Sequence, residues 1–316
     1  SCNVGCVGNR IGGNRPLRCT INPDLVNGEE YKKKKVKKPC NVVVVGAGTA
    51  GLEAACTAAE VGCNVTLIEE KEVLGGLSAE ISKIPDKKRL ADFPNYLIYR
   101  AEHLDNIKIM KGTKATTELV TSLNPDMVVN ATGSVALLPP INGLHDCLGN
   151  PEANVYTVFD MIDKIENNEY PESFEGKKVI VIGGGAVGLD VVEFFAPKGA
   201  DVTIIEMMPI IGNGLDASSK ASTSECMEKH AVTQLINTAL QEVRPNSFIV
   251  KRNGEIEELP FDYGFICLGM RANAPGYNDL VAATEETDAH IINIGDSVRA
   301  RRIIDGTWEG RHMVLG

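Results

Sequence analysis

Two hexapeptides in this chain have the residue types and spacing to hold a dinucleotide. Gly46-Ala47-Gly48-Thr49-Ala50-Gly51 and Gly183-Gly184-Gly185-Ala186-Val187-Gly188 both read Gly-x-Gly-x-x-Gly, each directly after an apolar, β-branched run. The first glycine of such a turn permits the tight bend, the second lets backbone approach a pyrophosphate, and the third lets helix and strand pack closely. The pyrophosphate then lies against free N–H groups at the positive end of a helix. An acid follows 18 positions after each third glycine, Glu69 in the first copy and Glu206 in the second. There a carboxylate accepts from ribose hydroxyls. Every landmark of the first copy recurs in the second at an offset of 137 residues. Two βαβ units in register imply two nucleotide sites.

The acid of the second copy bears on which nucleotide it takes. A carboxylate at the ribose repels a 2′-phosphate, and Met207-Met208-Pro209 offers no arginine or lysine to attract one. NAD(H) is therefore expected over NADP(H), unless a basic side chain arrives from elsewhere in the fold. Pro197 ends or kinks the second helix just before Gly199 without disqualifying the motif. A different chemistry is offered by Cys2, Cys6 and Cys19, three of the nine cysteines. Soft thiolates in a short glycine-rich loop can wrap an iron–sulfur cluster, which takes four of them. The plainer reading is three thiols in a flexible tail. The other six cysteines lie among apolar stretches and read as buried free thiols, which fits a reducing compartment. The five histidines are isolated from one another, and no side chain is assigned as catalytic.

The elements that position these residues read as alternating strands and helices. Residues 42–45 and 179–182 are continuous β-branched runs, the pattern of strands buried in a parallel sheet. Strand-like runs at 127–130 and 265–268 end in turns with Gly133 and Gly269, and 290–294 leads into Gly295-Asp296. Residues 151–176 carry a helical pattern at Val158, Phe159, Ile162 and Ile165, and the end from Ile303 to Gly316 is expected to be helical. Residues 1–31 show no sustained period. The basic run at 32–38 is read as a solvated linker in preference to an anionic docking patch. A length of 316 residues with 43% apolar content fits about two soluble domains. No run is long and apolar enough for a membrane helix, which needs about 18–20 residues. The opening residues are not a secretory signal, and the missing Met points to a piece of a longer protein. A net charge of −10 makes nucleic acid a poor partner.

Gly295-Asp296, ahead of Arg299, Arg301 and Arg302, resembles the "GD" element of two-dinucleotide flavoproteins, whose acid bonds the ribityl chain of FAD. Ala131-Thr132-Gly133, followed by Pro139-Pro140, resembles the "ATG" element that links the FAD domain of that class to its NAD(P)H domain. Cys267-Leu268-Gly269 with Asn273 is similar to an echo of it. The resemblance implies an α/β fold of two Rossmann-like dinucleotide-binding domains, with FAD at the first turn and NAD(P)H at the second. Residues 1–38 would form the cysteine-rich segment and linker, 39–150 plus 278–316 the FAD domain, and 151–277 the NAD(P)H domain. FAD would be held by Gly46, Gly48, Thr49, Ala50, Gly51, Glu69, Gly76, Ala131, Thr132, Gly133, Gly295 and Asp296. NAD(P)H would be held by Gly183, Gly185, Ala186, Val187, Gly188, Glu206 and Gly269.

That class includes disulfide reductases, but the stretch after Glu69 contains no cysteine and no Cys-x-x-Cys occurs anywhere, which excludes their mechanism. The N-terminal cysteines, with Cys19-Thr20-Ile21-Asn22-Pro23, resemble instead the C-terminal part of the 2,4-dienoyl-CoA reductase, enoate reductase and trimethylamine dehydrogenase group, flavoproteins related to Old Yellow Enzyme. Cys2, Cys6 and Cys19 match the second, third and fourth ligands of that group's 4Fe-4S motif, and the first would fall ahead of Ser1. The chain is therefore expected to hold little or no intact cluster. The resemblance implies the reductase half of such an enzyme, passing hydride from NADH to FAD and electrons on through the 4Fe-4S cluster to its partner, an N-terminal FMN barrel that carries the substrate site and reduces an enoyl- or dienoyl-type C=C bond; the cysteine usage points to the cytoplasm. A free-standing NADH:acceptor oxidoreductase, or an electron-transfer module with a vestigial nucleotide site, are the alternatives.

Overall fold

The computed structural model describes residues 2, 4–25, 34–285 and 289–312, without the side chains of 274–276 and 283. Lys32 and Lys33 of the basic run and residues 313–316 of the expected terminal helix lie outside them. The chain divides into two compact units, Ser1–Val135 with Arg271–Gly316, and Ala136–Met270.

The first unit is built on a parallel five-stranded sheet. Its order is His290–Asn293, Met127–Asn130, Asn41–Val45, Asn64–Ile68, Ile107–Met110. The chain leaves the central strand, Asn41–Val45, toward one edge and later returns on its other side. A crevice opens at such a switch point, at the carboxyl ends of the strands. The helix Thr49–Glu60 is buried along nearly its whole length. Its small residues let two helices approach, Asp92–Glu102 and the last helix, Ile303–His312. The second contact is closest: a Cβ on Gly306 would press on Ala50, and one on Gly310 would reach the Ala50 carbonyl and the Ala54 nitrogen. Glycines thus draw the end of the chain onto the helix that opens the unit.

The second unit repeats the plan. Its parallel sheet runs Val155–Tyr156, Tyr263–Ile266, Lys178–Ile182, Asp201–Ile205, Thr233–Leu235. The register Lys178↔Asp201 to Ile182↔Ile205 reproduces Asn41↔Asn64 to Val45↔Ile68 at the 137-residue offset. An antiparallel sheet of Thr238–Arg244, Ser247–Arg252 and Glu255–Pro260 is added, which the repeat does not announce. The expected helix forms at Val158–Glu166, started by a capping box between Thr157 and Asp160.

Several features differ from the sequence-based expectation. Residues 271–277, expected in the second unit, cluster with the first. Residues 136–150 pack in the second unit, because Leu144 and Cys147 are buried in a cluster with Val243 and Phe248. The N-terminal stretch read as loop contains a π-helix, Val4–Gly12. The Gly5 carbonyl accepts from Arg18 N–H, and a side chain at Gly5 would overlap the Arg18 carbonyl. Of the six cysteines expected buried, Cys56, Cys63, Cys147 and Cys267 are, whereas Cys40 and Cys226 are only partly covered.

Candidate functional site

In the first unit, Gly46 leaves its strand with φ +98° and donates its N–H to the Ile68 carbonyl at 2.8 Å. A side chain there would overlap the Ala131 carbonyl, and one at Gly51 would overlap the Gly46 carbonyl. The first and third glycines are therefore required by the fold itself. Gly48 is not. It sits at the N-cap of Thr49–Glu60 with ordinary extended backbone (φ −73°, ψ −179°), and the nearest atom a Cβ would meet is Gly76 Cα, at 3.9 Å. No side chain caps that helix start, which leaves its first-turn N–H groups without a side-chain partner. Gly76, at φ +58°, lies so close to Gly48 that a side chain on it would strike the Gly48 Cα.

Glu69 braces the turn. Its carboxylate accepts from Ala47 N–H at 2.7 Å and from Lys71 N–H at 2.9 Å. One bond to each oxygen leaves lone pairs for ribose hydroxyls. Ala131 continues the sheet by donating to the Val45 carbonyl, and Gly133, at φ +76°, accepts from Asn273 N–H. Between them the Thr132 Oγ1 is buried without a hydrogen-bond partner, although buried hydroxyls are nearly always paired. Asp296 follows Gly295 and accepts from Arg301 N–H at 2.9 Å and from the Ser134 hydroxyl at 3.2 Å. Burial raises its carboxyl above the usual aspartate range, against the lowering effect of those two donors. Ser134, whose only sequence signal is its place after Gly133, emerges as the side chain that steadies Asp296. Arg301 and Glu309 brace the same corner: Glu309 accepts from both Arg301 and Gly295 N–H at 2.7 Å.

The second unit builds the same device. Gly183, at φ +110°, donates to the Ile205 carbonyl and would overlap the Cys267 carbonyl if it carried a side chain. Gly188 would overlap Gly183 in the same way. Glu206 accepts from Gly184 N–H at 2.7 Å and Met208 N–H at 2.8 Å. Gly185, N-cap of Ala186–Phe195 with φ −83° and ψ −174°, has no heavy atom within 4 Å of where a Cβ would stand. Gly183, Gly184, Gly185, Glu206, Ala186, Val187 and Gly269, but not Gly188, line a cavity of about 530 Å³ that falls in the size range of cofactor pockets. Among the described residues Glu206 is the single charged side chain in its lining, with no lysine, arginine or histidine. Thr238 and Leu240 also line it. They come from the antiparallel sheet, and nothing in the sequence flags them.

Both turns fit a dinucleotide: an open cradle, an uncapped helix start and a braced carboxylate in each, and in the first an orphaned hydroxyl beside the turn. The cysteines behave differently. Cys2 and Cys6 are exposed and Cys19 is partly covered. The Gly5–Arg18 contact and a hydrogen bond from Cys2 Sγ to Thr20 Oγ1 at 3.2 Å fold their segments together. Among the described residues, however, no three of His, Cys, Asp or Glu are placed to hold a metal. The donors suit a cluster but are not gathered for one. Cys267, at the second turn, is fully buried, and its thiol is pushed well above the ordinary range by that burial.

The profile of the pyridine nucleotide-disulphide oxidoreductase family matches residues 94–296, and that of FAD dependent oxidoreductases matches residues 41–131. An NADH oxidase of Thermoanaerobacter brockii is 32% identical over 98% of this chain and 46% of its own length. A bilirubin reductase of Mediterraneibacter gnavus is 31% identical over 98% of this chain and 45% of its own length. The solved structure of a 2-naphthoyl-CoA reductase complex superposes with a TM-score of 0.83 at 26% identity, over 99% of this chain and 45% of that one. The chain thus spans about half the length of the curated relatives it matches, in keeping with the FAD- and nucleotide-binding portion of the enoate reductase group. It belongs to the pyridine nucleotide-disulphide oxidoreductase family.

Proposed function

We propose that this chain is the NADH-dependent reductase half of a flavoenzyme. FAD is bound in the first unit and NADH in the second, and the bound pair supplies a two-electron hydride transfer from nicotinamide to flavin. One observation carries this reading: Gly48 and Gly185 lack side chains that neither their backbone angles nor their protein neighbours forbid. Their emptiness serves a ligand, and beside an uncapped helix start that ligand is a phosphate.

The chain's own residues bind and orient. The open N–H groups at the starts of Thr49–Glu60 and Ala186–Phe195 receive the pyrophosphates, while Glu69 and Glu206 hold the adenosine riboses. Asp296, steadied by Ser134, accepts from the ribityl chain, and the Thr132 hydroxyl finds its missing partner on the flavin side. Glu206, alone among neutral lining residues, favours NADH over NADPH. No acid or base is needed in this half, because the cofactors carry the redox chemistry.

The wider assignment rests on the relatives. Since they are about twice as long, the remaining half is proposed to be an FMN barrel that reduces an enoyl- or dienoyl-type double bond, a class to which 2-naphthoyl-CoA is akin. Cys2, Cys6 and Cys19 are proposed as ligands of a 4Fe-4S cluster on their spacing alone. Among the described residues they are not gathered around a common metal position. A second reading, an NADH:acceptor oxidoreductase whose acceptor is another molecule, draws on the NADH oxidation for which the Thermoanaerobacter relative is named. Anaerobic addition of NADH to the FAD-loaded chain tests the core of both: the flavin colour should bleach, and a colour that persists refutes the proposal.

A further inference from the structure

Two thiols approach each other closely, away from both glycine turns. Cys40 Sγ and Cys63 Sγ are 3.1 Å apart. Cys40 immediately precedes the strand Asn41–Val45, and Cys63 immediately precedes Asn64–Ile68. The parallel register Asn41↔Asn64 sets the two cysteines opposite each other. Asn64 N–H donates to the Cys40 carbonyl at 2.9 Å, and Asn106 Nδ2 donates to the Cys63 carbonyl at 2.7 Å. Both backbones are thus fixed. Neighbouring strands lie about 4.8 Å apart, inside the Cα–Cα span of roughly 4.4–6.8 Å that a disulfide bridges. The residues ahead of Cys40 are held to the same loop: Val36 N–H donates to the Val61 carbonyl and Lys35 Nζ to the Glu60 carbonyl.

We propose that Cys40 and Cys63 are a dithiol that hydrogen peroxide closes to a disulfide and a thiol reductant reopens, stapling the chain's entry into the first sheet to the loop before its second strand. Cys40 is partly covered and Cys63 buried, which assigns their roles. The Cys40 thiolate attacks a peroxide oxygen; the O–O bond breaks, leaving a sulfenic acid on Cys40 and hydroxide, which takes up a proton as water. Cys63 Sγ then attacks the Cys40 sulfur and the S–S bond forms. The sulfenic oxygen leaves as a second water with the Cys63 proton. Two thiols lose two electrons and one peroxide gains them. The pair sits at the amino ends of the strands, whereas Gly46 and Glu69 lie at their carboxyl ends, about 17 Å away for five residues of strand. The disulfide therefore forms and breaks without the flavin, unlike the exchange after which the family is named.

Burial, the contact with Cys63 and the nearby Asp126 carboxylate together push the Cys40 thiol up to about 11. Those are the ionisable groups acting on it. The thiolate is therefore scarce at neutral pH, and the rate of closure rises about tenfold per pH unit through the mildly alkaline range.

The test uses the full chain treated with hydrogen peroxide, alkylated, and cleaved after glutamate. Glu53 and Glu60 fall between Cys40 and Cys63, on either side of Cys56, so the three cysteines separate into different fragments. The expected product joins the Cys40 and Cys63 fragments, returns to two fragments with dithiothreitol, and forms faster as pH rises. Its formation raises the thermal midpoint under non-reducing conditions. Cys40→Ser and Cys63→Ser abolish that rise. Full alkylation of both cysteines after peroxide, a link that involves Cys56 instead, or an undiminished midpoint rise in Cys40→Ser overturns the proposal. The fragment masses come from the unmodified sequence, so a variant that fails to fold leaves the test intact.

Discussion

Replacing Gly185 with alanine should leave the second unit at least as stable as before and sharply weaken its hold on NADH. At φ −83° and ψ −174° the backbone is in a region every L-residue adopts, and nothing lies within 4 Å of the new methyl. Glycine-to-alanine changes at such compatible sites stabilise by about 0.4–1 kcal/mol through the unfolded chain. In a unit of this size the thermal midpoint then rises by roughly 1–4 °C. The same methyl occupies the approach by which a phosphate oxygen reaches the helix N–H groups. Hydrogen bonds to charged groups contribute about 1.5–3 kcal/mol. Losing one weakens NADH binding roughly 10- to 100-fold. Calorimetric titration with NADH beside thermal unfolding reads both effects on one sample. Gly188→Ala is the contrasting control, since its methyl would overlap the Gly183 carbonyl and destabilise the unit outright. Wild-type NADH affinity in a folded Gly185→Ala protein would refute the claim that this glycine serves a ligand.

Other consequences are equally concrete. Glu206→Ala should narrow the preference for NADH over NADPH by about tenfold or more, since like charges about 4 Å apart near a surface repel by up to about 4 kcal/mol; the ratio of kcat/KM values for the two nucleotides reads it. Asp296→Asn should lower FAD retention after gel filtration. Because burial lifts the Asp296 carboxyl, flavin loosening on acidification should begin above the usual aspartate range in the parent and lose that pH dependence in the variant. Arg100→Ala removes the 2.9 Å partner of Glu53, whose side chain is 2% exposed, and leaves it the Thr57 hydroxyl at 3.3 Å and, as counter-charge, Arg311 at 3.8 Å. Stranding such a charge costs about 3–5 kcal/mol. Burial already raises the Glu53 carboxyl, so its contribution is fully present below the ordinary glutamate range and is lost as pH rises through the folded value. The penalty in Arg100→Ala should therefore be larger at neutral pH than at about pH 5, as urea unfolding at the two pH values would show.

The twin βαβ units were legible because their demands are local. A left-handed φ at Gly46 and Gly183, and a collision at Gly51 and Gly188, exclude any other residue, so the motif records the geometry directly. Glu69 and Glu206 were legible by position, but their bonds to the turn N–H groups were not, since those depend on where the second strand ends relative to the first. What escaped the sequence depends on partners distant along the chain. Cys40 and Cys63 meet only once the strand register is known. Residues 136–150 join the second unit through Leu144 and Cys147; the apolar surroundings mark Cys147 for burial but do not say which core it enters. Glu53 looks like an exposed polar residue until Arg100 and Arg311, 47 and 258 positions away, are packed against it.

The most direct measurement is a stopped-flow titration of the FAD-loaded chain with NADH in the absence of oxygen, run alongside Gly48→Ala and Gly185→Ala. The account predicts that one NADH bleaches one flavin in the parent. It further predicts that Gly48→Ala loses flavin while still binding NADH, and that Gly185→Ala keeps its flavin but needs far more NADH to bleach it. Flavin that stays oxidised in the parent, or two variants with the same defect, would contradict the assignment of the two turns to two different nucleotides.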